Sequence, residues 1–370
     1  MRLLTTCRDA GSAISMAPVL SLLGLDSSIR MRIVAQSPAY EILTHNYSLH
    51  EIEHIKNKTP KDLQDFAYLV LKDFQPDAVF CGVSSPDAGI DEFVLGAAKR
   101  TCVKRFVFQD YWGYLNPVNI DSHDTIMVVD EYAASITAKQ SGARIAVVGN
   151  PKYDRYFKLN IDELRTNFLK DNAQPGDNNV VSFVGQPLGH LKGYFKTINA
   201  LARSISILSE IGPVIYRPHP REDQATQHEV KNIFKQYNQA INIHHSEEPI
   251  EKLFLRSNIV ASLFSTAVFD AQILNGFAKV PFLSFLYLMI EEDIKDFFKK
   301  ENLIGHIPYS SPPFATTVST EDGIASAIRN SLKNKNHRLQ HGCVEGLPYQ
   351  ISNSSNLVAK IITTDFEIPR

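Results

Sequence analysis

Cysteine is scarce in this sequence, and its spacing excludes several classes of protein. The four cysteines are Cys7, Cys81, Cys102 and Cys343, and they form no CxxC pair and no zinc-finger pattern. Three of them lie in or beside apolar runs that are typical of strands. We therefore predict reduced thiols in the core of a cytosolic protein, and neither a disulfide scaffold nor a metal-binding finger.

Net charge is also small. The chain has 38 Lys and Arg residues against 40 Asp and Glu residues, for a formal net charge of −2 at pH 7. Such a balance gives no overall field that would hold a nucleic-acid backbone without sequence preference. We expect no nucleic-acid partner, and any basic site must be local.

No hydrophobic run is long enough to cross a bilayer. The most apolar segment, "VPFLSFLYLMI" at 280–290, is far shorter than the roughly 20 residues that a spanning helix needs. It reads as a buried strand that runs into a helix. Near the N-terminus, Arg8 and Asp9 interrupt the apolar stretch that a signal peptide requires. We expect a cytoplasmic protein, with peripheral association at the inner membrane left open.

The sequence does contain a regular alternation of strand-like and helix-like segments. The helix predicted at 90–100 has apolar residues at Ile90, Phe93, Val94 and Ala97, which form one stripe of a helix. Alternating β and α elements imply a parallel sheet covered by helices, a doubly wound α/β domain. In the first half, the predicted strands are at 2–6, 32–35, 78–82, 105–109, 125–129 and 145–148, with helices at 15–25, 61–74 and 90–100.

The length of 370 residues favours two domains. The pattern restarts after the Gly-, Pro-, Asn- and Asp-rich stretch at 171–179. We predict two Rossmann-like doubly wound domains that face each other across a cleft, with the active site beyond the carboxyl ends of their strands. The predicted boundaries are an N-terminal domain at 1–155, a linker at 156–178, a C-terminal domain at 179–345, and a segment at 346–370 that packs back on the N-terminal domain.

Polar residues follow three predicted strands of the N-terminal half. In "CRDAGS", Gly11 permits close backbone approach, and the helix start that follows attracts an anion or a sugar hydroxyl. Asp110 ends another strand beside aromatic residues, where a carboxylate suits a general base. Ordinary turns and helix caps are the alternative explanation. With Asp110, the residues of interest are Arg8, Asp9, Gly11, Ser12, Asp87 and Trp112.

The C-terminal half has three strand ends suited to an anion. In "VIYRPHPRED", Pro218 and Pro220 restrict the backbone on both sides of His219 and remove two N–H donors, which leaves a rigid cationic strand end. Ser265 and Thr266 open a helix whose N–H groups attract anions, although a simple cap also explains Ser265. We predict a phosphate-bearing ligand at Gly185, Gln186, Arg217, His219, Arg221, Ser262, Ser265 and Thr266.

Two of these segments resemble motifs of GT-B-type glycosyltransferases. "RPHPRE" is similar to the His-Pro motif, and "SLFSTAVFDAQILN" to the Ser-Ser/Thr motif, of the bacterial sialyltransferase and polysialyltransferase group and of the CDP-glycerol transferases. "VVGNPKYDRY" at 147–156 resembles the hinge that follows the last N-terminal strand of such enzymes. The resemblance implies that both motifs bind the nucleotide phosphate and ribose of a sugar donor.

The resemblance also implies a mechanism. In the sialyltransferase group, an acidic motif at an N-terminal strand end supplies the general base, and "QDYWG" lies at that place with Gln109 instead of the first acid. Asp110 would then be the base, with Asp9 left open as the alternative, and His219 with the paired hydroxyls would stabilise the leaving phosphate. The six other N-terminal residues would bind the acceptor. No DxD pair has a phosphate-facing context, so we expect no essential metal and no other cofactor.

The expected function is metal-independent, inverting transfer of a sugar from a nucleotide donor to a hydroxyl of a glycan or lipid-linked glycan. A CMP-linked sialic-acid- or Kdo-like sugar and a role in capsule or lipopolysaccharide synthesis fit the resemblance. The nucleotide base, the linkage and the oligomeric state stay open.

Two other functions compete with this one. A sugar-nucleotide isomerase similar to UDP-N-acetylglucosamine 2-epimerase would use a His at a Pro-containing strand end and acids at Asp87, Asp110 and Glu131, but the loop at Ser265 lacks the paired Glu of that family. A binding protein with an inactive cleft is the third reading. It requires that Asp110 and His219 be replaceable without consequence.

Overall fold

The chain forms two compact units, each built on one parallel sheet. The computed structural model describes all residues except 47–50, 57–58, 85–86, 114, 117–118, 173–178, 246–247, 302–303, 334–350 and 368–370. The first unit comprises Met1–Phe157 with Pro348–Arg370, and the second comprises Lys158–Leu347. The doubly wound α/β class predicted from the sequence is confirmed.

The first unit has a seven-stranded sheet in the order β3-β2-β1-β4-β5-β6-β7, and all its pairings are parallel. Its strands are β1 (Arg2–Cys7), β2 (Arg30–Ala35), β3 (Ile52–His54), β4 (Ala78–Cys81), β5 (Lys104–Gln109), β6 (Thr125–Val128) and β7 (Arg144–Val147). Its helices are α1 (Ala10–Leu23), α2 (Ala39–Glu41), α3 (Pro60–Phe74), α4 (Ile90–Arg100) and α5 (Glu131–Gln140). A π-helical turn (Ile42–Asn46) follows α2, and a 3-10 helix (Pro151–Lys158) follows β7.

The second unit has a six-stranded sheet in the order β10-β9-β8-β11-β12-β13, again parallel throughout. Its strands are β8 (Val181–Val184), β9 (Val214–Arg217), β10 (Ile241–Ile243), β11 (Ile259–Ser262), β12 (Ser284–Leu288) and β13 (Thr316–Val318). Its helices are α6 (Ile161–Asn172), α7 (Lys192–Ser206), α8 (Gln224–Gln236), α9 (Ile250–Arg256), α10 (Thr266–Gly276), α11 (Glu292–Glu301) and α12 (Gly323–Lys333).

The central strands are apolar because both faces of each sheet are covered. Every residue of β4 and of β11 is buried. Continuous apolar runs of this kind are typical of parallel sheets with helices on both faces. Polar side chains that could contact a ligand therefore lie mainly beyond the carboxyl ends of these strands, where the candidate site forms.

A last helix, α13 (Ser354–Glu367), belongs to the first unit although the second unit precedes it in the chain. Val358 and Ile362 are fully buried, and the helix packs against α1. The carboxylate of Asp154 accepts the N–H groups of Ser354 and Ser355 at 2.9 and 2.8 Å, which satisfies two donors of its first turn.

Two expectations need correction. The predicted linker at 156–178 contains helix α6, which belongs to the second unit. The Asp162 carboxylate of this helix accepts the N–H groups of Lys279 and Val280. The sequence pattern missed the helix because only Ile161 is buried in it, so no apolar stripe marks it.

The second correction concerns the cysteines. Cys7 and Cys81 are buried, and burial raises the pKa of both thiols well above the ordinary value, as expected for core thiols. Cys102 is exposed, because it lies in the turn between α4 and β5. Cys343 lies outside the described residues.

Candidate active site

The carboxyl ends of three neighbouring strands form the candidate site of the first unit. Strands β1, β4 and β5 are adjacent in the sheet. The chain order reverses between β1 and β4, and ligands of doubly wound sheets bind at such a reversal. Ser12 lies in the first turn of α1, which follows β1, and Ser84 and Asp110 lie in the loops after β4 and β5.

Asp110 lies directly over the first turn of α1. The Ser12 hydroxyl donates a hydrogen bond to Asp110 Oδ1 at 2.9 Å. A Cβ atom at Gly11 would overlap Asp110 Oδ2, so only glycine leaves room for the carboxylate. The sequence singled out these three residues from two separate strand ends, and the fold brings them into contact.

The environment of Asp110 favours its protonated form more than water does. Burial raises the pKa of Asp110 to about 6, against the Ser12 hydrogen bond and the charge of Lys152, which lower it. A carboxylate with a pKa near the working pH can accept a proton and still be ionised most of the time. Asp110 therefore has the chemistry of a general base.

Two buried acids beside this site were missed by the sequence reading. Asp91 accepts hydrogen bonds from the hydroxyls of Thr6 and Ser84 and from the Arg8 N–H. Glu92 accepts the N–H groups of Ser84 and Gly89. Burial raises the pKa of both, that of Glu92 to about 7. They fall at the start of a helix, where acids commonly act only as caps, so nothing in the sequence distinguished them.

The other predicted acceptor residues have mixed outcomes. Arg8 and Asp9 form an ion pair with each other at 2.8 Å, at the end of β1. Asp87 is exposed in the loop before α4. Trp112 is wrong as an acceptor wall, because it is only 4% exposed and its indole N–H donates to Asp130 Oδ2 at 2.7 Å. Its burial makes it a core residue.

In the second unit, the ends of β9, β8 and β11 are adjacent, and the chain order reverses between β8 and β11. These ends carry His219, Gln186 and Ser265. The Gln186 side chain spans the reversal, since its Oε1 accepts the Phe264 N–H at 2.9 Å. The three predicted anion-binding segments therefore meet at one edge of the sheet.

His219 is held as a neutral imidazole. Its Nδ1 accepts the Arg221 N–H at 3.0 Å, so the proton of the neutral ring is on Nε2. Burial, together with the charges of Arg221 and Arg217, lowers the pKa of His219 to about 4. A ring of this kind is a hydrogen-bond donor through Nε2 and carries no charge at neutral pH.

A buried carboxylate fixes the turn that presents His219. Glu222 Oε2 accepts the His219 N–H at 2.8 Å, and Oε1 accepts the Tyr194 hydroxyl at 2.7 Å. The Tyr194 oxygen in turn accepts the Gln186 N–H at 3.2 Å. Neither Glu222 nor Tyr194 was predicted. For Glu222, an acid after "HPR" looks like an ion-pair partner for arginine.

Three predicted phosphate ligands have structural partners instead. The Gly185 N–H donates to the Arg217 carbonyl, so it is not directed to a phosphate. Ser262 is fully buried, and its hydroxyl donates to the Val184 carbonyl at 2.7 Å. Arg217 Nη1 lies within hydrogen-bond distance of His244 Nδ1 and donates to the carbonyls of His245 and Glu248, which anchors the loop after β10.

Ser265 and Thr266 lie at the start of α10. Ser265 is the N-cap, and its hydroxyl accepts the Ala267 N–H at 3.2 Å. Thr266 is exposed as the first residue of the helix, and Arg221 is exposed in the turn that follows β9. A capping hydroxyl can still donate its own proton, so the segment retains donors for an anion.

The chemistry of the two sites differs. The first offers a carboxylate of raised pKa, and the second offers neutral donors and a helix N-terminus. Among the described residues, no group of three or more His, Cys, Asp or Glu side chains is arranged to hold a metal ion. In the same part of the chain, no helix combines the length and apolar character that crossing a membrane demands.

The sequence matches one family. Residues 94–283, just over half of the chain, match the profile of the family described as alpha-2,8-polysialyltransferase (POLYST). The matched range includes Asp110, His219 and Ser265. No curated protein sequence matches the chain.

Solved structures share the fold at low sequence identity. MnaA of S. aureus, in a co-structure with UDP, superposes with a TM-score of 0.71 at 13% identity, covering 100% of this chain and 97% of that one. UDP-GlcNAc 2-epimerase of Neisseria meningitidis, bound to UDP-GlcNAc, gives 0.66 at 14%, covering 98% and 100%. MurG of Acinetobacter baumannii gives 0.60 at 12%, covering 98% and 100%. These likenesses identify the GT-B-type fold.

Proposed function

Because the chain belongs to the alpha-2,8-polysialyltransferase family, and is therefore a glycosyltransferase, we propose that it transfers a sialic-acid-like sugar from a CMP donor to a glycan hydroxyl. The observation that carries this proposal is the pairing of chemistries in one chain. A base-like Asp110 is present in one unit, and a cluster of neutral donors suited to an anion is present in the other.

The second unit would bind the nucleotide phosphate. Nε2–H of His219, the hydroxyls of Ser265 and Thr266, and the Thr266 N–H at the start of α10 supply donors. Breaking the sugar–phosphate bond leaves negative charge on the departing phosphate, and donors that are already oriented stabilise that charge without reorganisation. A neutral imidazole does this at any pH above its pKa.

The first unit would bind the acceptor and remove its proton. Asp110 takes the proton of the acceptor hydroxyl as its oxygen bonds to the sugar carbon and the bond from that carbon to the phosphate breaks. A single displacement of this kind inverts the configuration at the reacting carbon. Ser12 holds one carboxylate oxygen, so the other is left for the acceptor. Of the two acids left open by the sequence, Asp110 is favoured over Asp9, because Asp9 is paired with Arg8.

Replacing the two central residues tests the mechanism. We expect Asp110→Asn to lower kcat by about 100- to 10,000-fold, since general-base catalysis is lost. His219→Ala should lower it by about 100- to 1,000-fold, since one donor to the phosphate is lost. The assay is transfer from CMP-linked sugar to an oligosaccharide acceptor, with exposed Asp73→Asn as control. Near-native turnover of either variant removes that residue from the mechanism.

The nucleotide is tested by thermal shift. We expect CMP to raise Tm more than CDP, UDP or GDP, because the proposed donor is a CMP-linked sugar. A ligand at 100 times its Kd stabilises the folded chain by about 2.7 kcal/mol. His219→Ala should lose most of the shift. A larger shift with UDP would overturn the choice of CMP. Activity that persists in EDTA would agree with the expected absence of an essential metal.

The epimerase alternative is less favoured. The likeness to UDP-GlcNAc 2-epimerases is one of fold, at 14% identity for the Neisseria enzyme. Two of the three acids that this alternative needs, Asp87 and Glu131, are exposed side chains. The polysialyltransferase match includes the donor-binding segments proposed here.

A further inference from the structure

Glu222 is an acid in an unusual setting. It is 6% exposed, and burial raises the pKa of its carboxyl. No ion pair with it is found in the described part of the chain. A buried acid without a cationic partner is costly, and such groups concentrate at functional sites.

The hydrogen bonds of Glu222 reach two strand ends at once. One oxygen accepts the His219 N–H, and the other accepts the Tyr194 hydroxyl, whose oxygen accepts the Gln186 N–H. Gln186 then accepts the Phe264 N–H at the end of β11. One continuous chain of hydrogen bonds therefore joins the ends of β9, β8 and β11.

The groups of this hydrogen-bond network are tightly packed. Tyr194 is fully buried on α7. A Cβ atom at Gly185 would lie 2.5 Å from Glu222 Oε2 and 3.1 Å from the Tyr194 hydroxyl, so only glycine fits between them. The glycine that the sequence singled out for phosphate binding is required by this network.

We propose that Glu222 is a positioning residue, which acts through Tyr194 and Gln186 to hold the His219 turn in register with the N-terminus of α10. It touches neither the nucleotide nor the reacting atoms. The imidazole donor and the helix donors then meet one phosphate without rearrangement, which lowers the cost of binding. The inference rests on the proposed phosphate site of the second unit.

The experiment measures CMP affinity by calorimetry and the titration of the His219 ring by NMR, both on the full chain. We expect Tyr194→Phe and Glu222→Gln each to raise the Kd for CMP about tenfold, since each leaves a buried group without its partner. The pKa of His219 should also rise from about 4 towards 6.5, because the ring is less buried when the turn loosens. A purely structural role would lower Tm without moving this titration.

Tyr237→Phe is the matched control. The Tyr237 hydroxyl donates to Asn199, which lies on α7 like Tyr194 but outside the network. The Kd for CMP and the His219 titration should therefore stay native. Native values of both quantities in Tyr194→Phe and Glu222→Gln, with binding lost in His219→Ala, would overturn the inference alone. Native binding in His219→Ala would remove the proposed site and the inference with it. If Glu222→Gln does not fold, Tyr194→Phe still decides.

Discussion

At the scale of single residues, Ser12 controls the charge of Asp110. Its hydroxyl stabilises the ionised carboxylate and so lowers a pKa that burial raises to about 6. As the proposed base, Asp110 must be ionised to act, so kcat/KM should rise as the pH rises through about 6. We predict that Ser12→Ala moves this acidic limb to higher pH, measured as a kcat/KM profile.

Ser15→Ala is the control for that measurement. Ser15 is also fully buried on α1, and its hydroxyl has no hydrogen-bond partner in the described residues. Its replacement should leave the limb at its native position. An unchanged limb in Ser12→Ala would show that the hydrogen bond does not set the pKa of the base.

Gly11 is a second position where the contact with Asp110 restricts the side chain. A methyl group at this position overlaps Asp110 Oδ2, whereas one at Gly142 has no atom within 4 Å. We predict that Gly11→Ala displaces the carboxylate, lowers kcat strongly and lowers the free energy of unfolding by about 1–3 kcal/mol. Gly142→Ala should change neither, as measured by assay and urea denaturation. Equal effects of the two variants would contradict the contact.

The sequence predicted residues well where the chemistry follows from residue type and strand position. Asp110, Gly11 and Ser12 each follow a predicted strand, and the rule that parallel strands end at one edge places them together. The sequence-based prediction failed for residues whose role depends on burial. The exposure of Trp112 and the hydrogen bonds of Ser262 depend on neighbours distant in the chain, which no local pattern reveals.

At the scale of elements, α10 combines a helix cap with the proposed phosphate site. Ser265 caps the helix in the second unit, as Thr59 caps α3 in the first. We predict that Ser265→Ala and Thr59→Ala each lower the free energy of unfolding by about 1 kcal/mol, but that only Ser265→Ala raises the Kd for CMP. Calorimetric titration and urea denaturation measure the two quantities. Native CMP affinity in Ser265→Ala would reduce this residue to a cap.

Most elements were predictable because apolar periodicity marks them. Strands β1, β4, β5 and β6 begin and end within one residue of their predicted bounds. Two of the elements that were missed bury little. Strand β3 has three half-buried residues, and α6 buries only Ile161, so neither carries the pattern that predicts a strand or a helix.

At the scale of the whole molecule, both units contain aspartates that join segments far apart in sequence, and Asp154 and Asp162 are two of them. Asp154 holds the start of α13 in the first unit, and Asp162 holds residues 279–280 in the second. We predict that Asp154→Ala speeds hydrogen exchange in α13 and α1, at a cost of about 1–3 kcal/mol. Asp162→Ala should speed exchange only near 277–283. Faster exchange in α1 from Asp162→Ala would contradict this division.

The single tryptophan gives the denaturation experiments an internal reporter of the first unit. Trp112 is buried in the first unit beside Asp130, and the second unit has no indole of its own. Indole emission therefore follows the unfolding of the first unit alone, while far-ultraviolet circular dichroism follows both. If the units unfold independently, the two signals will give different midpoints in one denaturant titration. The same chain can then yield two stabilities without being cut.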